Sequence, residues 1–329
     1  MVSWLLAILE IVGGIAGLMY GGEVLVRSAA RLARTLGVTP MVIGLTIVAI
    51  GTSLPELVVS VYAALQDVTD VTVGNAVGSN LFNLLAALGI VAMVRPVIST
   101  AVFIDREIPI MIAVMVISWL FCLPGILYRP LAIVLLLLLA GYLALAVHWA
   151  RKEREPLVEK EFDEEIPDEK APILLDVALM VGGFLLMVVG SHFFLEGAVW
   201  IARTLGISEL IIGLTLVAFG TSAPELFTCV IAVMRDRPDL ALGNLVGSCI
   251  FNMLGILGCA GVVSDLAIST VILQRDFPLM CFTGLLTWFF VRTHHRVSRL
   301  EGGILFAIYI GYIAYLIYAT ATGAAPTGG

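Results

Sequence analysis

Thr52, Ser53 and Glu56 fall at spacings that put their oxygens on one face of a helix, and Ser79 and Asn83, four apart, do the same downstream. The five residue types return 169 residues later as Thr221, Ser222, Glu225, Ser248 and Asn252. Every one of these ten side chains offers oxygen, and none is His or Cys. Such a set suits hard cations such as Na⁺ and Ca²⁺ rather than Zn²⁺ or Cu⁺, and Ca²⁺ takes six to eight oxygens at about 2.3–2.6 Å. Two glutamates also balance one divalent charge. Placed together with no cation between them they would repel, so at least one would hold a proton or an ion, which is a physical basis for competition between ions.

These residues sit in a text written twice. Gly44-Leu-Thr-Ile-Val-Ala-Ile-Gly-Thr-Ser-Leu-Pro-Glu56 returns as Gly213-Leu-Thr-Leu-Val-Ala-Phe-Gly-Thr-Ser-Ala-Pro-Glu225, and Gly74-Asn-Ala-Val-Gly-Ser-Asn-Leu-Phe-Asn83 as Gly243-Asn-Leu-Val-Gly-Ser-Cys-Ile-Phe-Asn252. Over 37–89, 27 of 53 positions match without a gap. Pro55 and Pro224 each remove an amide donor beside Gly51 and Gly220, so carbonyls near Ala49 and Ala218 are expected to be released toward the same face. A carboxylate next to Gly and Pro within an apolar run is costly in lipid unless it meets partners or an ion. A duplicated broken helix of this kind is a sequence pointer to a transporter's ion site.

Packing could explain Gly74, Gly78, Gly243 and Gly247, since small residues let membrane helices approach; it does not explain the glutamates. Glu10, Glu23, Glu196 and His192 lie outside the repeated set and read as structural or interfacial groups. His294 and His295, with Arg292, Arg296 and Arg299, read as an anchoring loop. Ser53 and Ser222 lack a Gly-x-Ser-x-Gly elbow and a repeated His to act as base, so an enzyme is not expected. Nucleotide-binding glycine signatures are also missing.

The elements that must position these residues follow from composition. The chain has 329 residues, of which 60% are hydrophobic and 13% charged, which predicts an all-α integral membrane protein. Apolar runs predict ten transmembrane helices near 3–25, 40–65, 71–94, 107–123, 131–149, 173–199, 208–233, 240–262, 277–291 and 302–319. Residues 1–149 form a first five-helix repeat (core about 37–95), 150–172 an acidic connector, 173–319 a second repeat (core about 206–264), and 320–329 a flexible tail. Five spans per repeat invert the second relative to the first. Fifteen basic residues fall on one side of the membrane and three on the other, which places the connector in the cytoplasm and both termini outside.

The net charge of −7 mostly reflects the connector, where ten of 25 acidic residues lie between Glu153 and Asp176. It carries no basic stripe for nucleic acid. The connector reads as a solvated loop, with cation sensing as the weaker alternative. Cys122, Cys229, Cys249, Cys259 and Cys281 lie in apolar runs without metal-ligand spacing and read as small packing residues. The first apolar run lacks a basic leader and contains Glu10, favouring a retained helix over a cleaved signal peptide.

The Gly-Thr-Ser-Leu-Pro-Glu56 and Gly-Thr-Ser-Ala-Pro-Glu225 strings, each followed by Ser79 or Ser248 and then Asn83 or Asn252, resemble the alpha repeats of the sodium/calcium exchanger family, prokaryotic type, within the calcium/cation antiporter superfamily. The resemblance covers nearly the whole chain. It implies that Glu56 and Glu225 are central ligands to Ca²⁺ and Na⁺, with Thr52, Ser53, Ser79, Thr221, Ser222, Ser248 and the carbonyls of Ala49 and Ala218 completing the sites. Asn83 and Asn252 complete a four-residue centre with the two glutamates.

It further implies antiport of about three Na⁺ for one Ca²⁺ across a prokaryotic inner (plasma) membrane, with no cofactor and no predictable protein partner. Ca²⁺/H⁺ antiport is the alternative, and a cation-sensing receptor without flux a more distant one. Two departures stand out. Asn252 replaces the Asp of some members, including potassium-dependent ones, and Cys249 stands opposite Asn80.

Overall fold

The computed structural model describes residues 2–152, 172–206, 212 and 218–322. The acidic connector therefore lies almost wholly outside the described residues, as do most of the 320–329 tail and the residues leading into the second Thr-Ser-x-Pro-Glu string. The described helices are α1 (Val2–Leu36), α2 (Pro40–Thr52), α3 (Leu54–Leu65), α4 (Thr69–Val94), α5 (Ile108–Cys122), α6 (Arg129–Lys152), α7 (Ile173–Thr204), α8 (Ala218–Met234), α9 (Pro238–Val263), α10 (Phe277–His294) and α11 (Arg299–Ala321).

Six of these are long and apolar enough to cross a membrane, and α2 with α3 makes a seventh as one span bent by 45°. The fold is thus an all-α membrane protein with six or seven such spans among the described residues, short of the ten expected. The fourth and ninth expected spans correspond to α5 and α10, and the part of the seventh that is described, Phe219–Met234, is also short.

The duplicated sequence gives duplicated structure. π-Helical turns interrupt α4 at Phe82–Ala87 and α9 at Asn252–Ile256, and further π turns at Phe103–Glu107 and Ile272–Asp276 lead into α5 and α10. A π turn inserts an extra residue into the helical ladder and re-aims the side chains beyond it. Four two-residue strands, absent from the sequence reading, pair across the halves: β1 (Val97–Ile98) with β4 (Arg296–Val297), and β2 (Ile126–Leu127) with β3 (Leu266–Ala267). Because β1 corresponds to β3 and β2 to β4, exchanging the halves maps each pairing onto the other. Strands this short carry no alternation signal, so periodicity could not reveal them.

α1 runs well past its predicted end at 25, to Leu36, and α7 five residues past its own at 199. At 1.5 Å per residue the 35 residues of α1 span about 52 Å, more than the roughly 30 Å of a bilayer core. The two helices interlock through glycines: a Cβ on Gly14 would lie 2.6 Å from the Gly190 carbonyl, and one on Gly190 2.8 Å from that of Gly14. Hydropathy stops where arginines begin, but the helix does not, because those arginines find partners. Arg27 pairs with Glu23, and Arg31 Nε lies 2.7 Å from Oδ1 of Asp176, a fully buried carboxylate on α7. Glu23 also accepts Arg235 Nε at 2.8 Å, tying α1 to the end of α8.

A second repeated cluster docks the outer helices. Arg106 Nε donates to Glu107 Oε1 at 2.7 Å and Tyr142 of α6 donates to Glu107 Oε2 at 3.1 Å; Arg275 Nε donates to Asp276 Oδ1 at 2.7 Å and Tyr312 of α11 donates to Asp276 Oδ1 at 3.1 Å. A nearly buried carboxylate paired with an arginine and a tyrosine satisfies its charge without reaching the centre of the molecule.

Candidate functional site

The centre is assembled by α2, α3, α4, α8 and α9. Pro55 breaks the first-half segment: Ser53 adopts φ −90°, ψ 8° between α2 and α3. The second-half segment runs through Pro224 as one helix, α8. Pro224 cannot donate to the carbonyl of Gly220 four residues back, and the Ser191 hydroxyl of α7 donates to that carbonyl instead. The position matching Ser191 in the first half is Gly22, which has no hydroxyl to give.

α2 and α9 meet backbone to backbone. A Cβ on Gly243 would lie 2.5 Å from the Met41 carbonyl, and one on Gly247 2.5 Å from the Leu45 carbonyl. Close packing therefore accounts for these two glycines; Gly74 and Gly78 make no comparably close approach among the described residues.

Glu56 and Glu225 are both 1% exposed, and each is held by a serine of the other half. Ser222 Oγ donates to Glu56 Oε1 at 2.9 Å, and Ser53 Oγ donates to Glu225 Oε1 at 2.9 Å. The second oxygen of each carboxylate, Glu56 Oε2 and Glu225 Oε2, is buried without a hydrogen-bond partner, and so are the amide oxygens Asn83 Oδ1 and Asn252 Oδ1. Those four oxygens form two pairs related by the 169-residue repeat. Buried acceptors are ordinarily satisfied, because an unpaired one keeps its full desolvation cost. Acceptors without donors are what a bare cation would complete.

The other expected ligands have these surroundings. Thr52 Oγ1 donates to the Ala49 carbonyl at 3.4 Å and to Asn244 Oδ1 at 3.2 Å, and Ser248 Oγ lies 3.5 Å from the Ala49 carbonyl. Ser79 is buried on α4, and Thr221 sits half-buried on α8 next to Ser222. Ala218 begins α8. The Ala49 carbonyl is not released as the sequence reading expected: the Ser53 amide donates to it at 3.1 Å. Pro55 deprives the carbonyl four residues back, which belongs to Gly51.

A bracing layer went unrecognised in the sequence. Asn75 Nδ2 donates to the Glu56 carbonyl at 3.1 Å and to Ser60 Oγ at 2.8 Å, and the matching Asn244 Nδ2 lies 3.3 Å from Cys229 Sγ. The signal was present, since Asn75 and Asn244 stand in the repeated Gly-Asn-x-Val-Gly-Ser string, and Ser60 and Cys229 follow the glutamates by four residues. Cys229 thus does more than fill space. Glu10, Glu23, Glu196 and His192 stand apart from the four oxygens: Glu23 takes two arginines, and His192 Nε2 lies 3.4 Å from Glu196 Oε1 on an exposed face of α7.

A multi-pass α-helical membrane protein made of two matching halves, with a buried oxygen-lined centre where they meet, has the build of a secondary transporter. The model for sodium/calcium exchanger protein matches residues 6–148 and 175–318, and the chain belongs to that family of cation antiporters. The chain is 36% identical over 321 residues to a putative antiporter CaxA of Alkalimonas amylolytica, covering 96% of this chain and all of that one. It is 31% identical to the sodium/calcium exchanger MaX1 of Methanosarcina acetivorans, over 93% of this chain and 97% of that one. Among solved structures, the sodium-calcium exchanger NCX_Mj soaked with 2.5 mM Na⁺ and 0.1 mM Ca²⁺ superposes with a TM-score of 0.80 at 30% identity, covering 94% of this chain and 98% of that one.

Proposed function

We propose that the chain exchanges Na⁺ for Ca²⁺ by alternating access, with Glu56, Asn83, Glu225 and Asn252 as the shared centre. The observation that carries this reading is that, among the buried oxygens without hydrogen-bond partners, four belong to the repeated positions, two carboxylate and two amide. Two negative charges match one Ca²⁺, and the neutral oxygens of Thr52, Ser53, Ser79, Thr221, Ser222, Ser248 and Ala218 would share the surrounding positions with Na⁺. Since Ca²⁺ and Na⁺ need the same carboxylates, occupancy by one displaces the other, and the gradient of one drives the other.

In this reading the chain crosses the membrane ten times. Residues 1–149 and 173–319 are inverted five-helix repeats, the termini are outside, and the 150–172 connector is cytoplasmic, as the asymmetry of basic residues favours. Inverted halves that meet at one centre can open it alternately to either side. The names of the exchangers in Methanosarcina and the superposed structure support Na⁺ as the coupling ion.

The test is radiolabelled Ca²⁺ uptake into proteoliposomes preloaded with Na⁺ and diluted into choline, beside a set with an acidic lumen and no Na⁺ gradient. Uptake driven by Na⁺ is the expected result. Uptake driven only by protons would replace the coupling ion, and Ca²⁺ binding without either flux would overturn antiport.

A further inference from the structure

Asn80 follows Ser79 on α4, is fully buried, and has Cys249 as its counterpart in the second half. It belongs to none of the repeated ligand positions, yet it reaches across to the other half. Asn80 Nδ2 donates to the Cys249 carbonyl at 3.2 Å and lies 3.5 Å from the Met280 sulfur, while Asn80 Oδ1 accepts Asn252 Nδ2 at 3.0 Å.

The polarity of this relay is forced. A backbone carbonyl and a thioether only accept, so Asn80 must turn its NH₂ toward Cys249 and Met280. Its oxygen is then left for Asn252, and only the NH₂ of Asn252 complements it. The Asn252 oxygen consequently faces away from Asn80, and it is one of the four buried acceptors without a donor. Reversing Asn252 would set oxygen against oxygen at Asn80 and aim two N–H groups where a cation is to sit.

We propose that Asn80 is a positioning residue that holds Asn252 with its amide oxygen presented to the transported cation. The inference rests on the reading of Glu56, Asn83, Glu225 and Asn252 as the cation centre. It assigns the two halves unequal parts. A thiol at position 249 is shorter and offers only a weak donor and a weak acceptor in place of an amide's, so the second-half amide is oriented by this relay and Asn83 has no equal from Cys249. The pairing also suits Asn rather than Asp at 252, because a carboxylate would bring no donor to Asn80 Oδ1.

The experiment is a double-mutant cycle on equilibrium binding of radiolabelled Ca²⁺ to the purified full-length protein: wild type, Asn80→Leu, Asn252→Ala and the double variant. Asn80→Leu is expected to weaken binding by about tenfold, the scale of a lost buried amide hydrogen bond. In the Asn252→Ala background the same change is expected to cost nothing further.

Wild-type affinity in Asn80→Leu, or an effect that adds in full to that of Asn252→Ala, would overturn the proposal while leaving the centre intact. Wild-type affinity in Asn252→Ala would instead overturn the centre. Asn80→Ser, whose hydroxyl is too short to reach Asn252, serves the same cycle where leucine is not accommodated. A purely structural role would lower thermal stability without the coupling.

Discussion

Ser222 Oγ donates a hydrogen bond to Glu56 across the two halves, at the same 2.9 Å at which Ser53 Oγ donates to Glu225. Each carboxylate is thereby anchored at one oxygen by the opposite half and left open at the other. A hydrogen bond to a charged group contributes about 1.5–3 kcal/mol, enough to hold both carboxylates in place while their free oxygens stay unsatisfied.

Replacing either glutamate by glutamine tests that division directly. Glutamine keeps an oxygen to accept the serine but puts an NH₂ where the unpartnered oxygen stood. Glu56→Gln and Glu225→Gln are each expected to abolish Ca²⁺ uptake into proteoliposomes while the melting temperature in detergent stays close to wild type. Wild-type flux in either variant would refute the shared centre.

The serines should behave as a matched pair. Ser53→Ala and Ser222→Ala remove equivalent bonds from equivalent carboxylates, so each is expected to weaken apparent Ca²⁺ affinity by about tenfold or more, consistent with loss of one charge-assisted bond. A large effect at one serine with none at the other, measured as the Ca²⁺ concentration for half-maximal uptake, would contradict the matched arrangement.

The proposed centre is grouped in the sequence because chemistry at fixed spacing survives duplication. Glu56, Glu225, Asn83 and Asn252 could be read as a group from the repeat alone, and all four carry unpartnered buried oxygens. What escaped the sequence depends on the partner half. The break at Ser53 against the unbroken α8 goes with a hydroxyl from α7 that reaches one carbonyl in the second half only, and no local pattern announces that. The long end of α1 escaped for a related reason, since hydropathy counts Arg31 as a terminus and ignores its partner Asp176 on α7. The two-residue strands are defined wholly by pairing across the halves.

Glycine packing between α2 and α9 makes a steric prediction. A side chain at Gly243 or Gly247 must displace backbone, because even a Cβ would stand 2.5 Å from a carbonyl oxygen. Gly243→Val is expected to lower stability by about 1–3 kcal/mol, the usual cost of overpacking, and Gly141→Ala, with nothing within 4 Å of its Cβ, is expected to be neutral. Thermal unfolding followed by size-exclusion fluorescence would decide between them.

Arg31 and Asp176 form a tie whose two ends are not equivalent. Asp176 is fully buried, whereas Arg31 keeps about a quarter of its side chain exposed, at 26%. Removing the arginine strands a buried carboxylate, so Arg31→Ala should destabilise the protein more than Asp176→Asn does, because the amide carries no charge to strand. Equal loss of melting temperature in the two variants would argue against the tie.

The amide at position 252 bears on ion selectivity. As Asn252 adds no third negative charge beside Glu56 and Glu225, exchange is expected to proceed at full rate with choline replacing all K⁺. A strict K⁺ requirement in the same proteoliposome assay would refute this.

The strand exchange of β1 with β4 and of β2 with β3 has the logic of a two-subunit assembly in which residue i of one partner meets j of the other, and j meets i. Serine to carboxylate and glycine to glycine follow the same rule, which is the rule of an isologous dimer. One chain here supplies both subunits. Neither half closes its own strands or anchors its own glutamate, so half of this polypeptide is not a smaller version of the protein; it is an unpaired protomer.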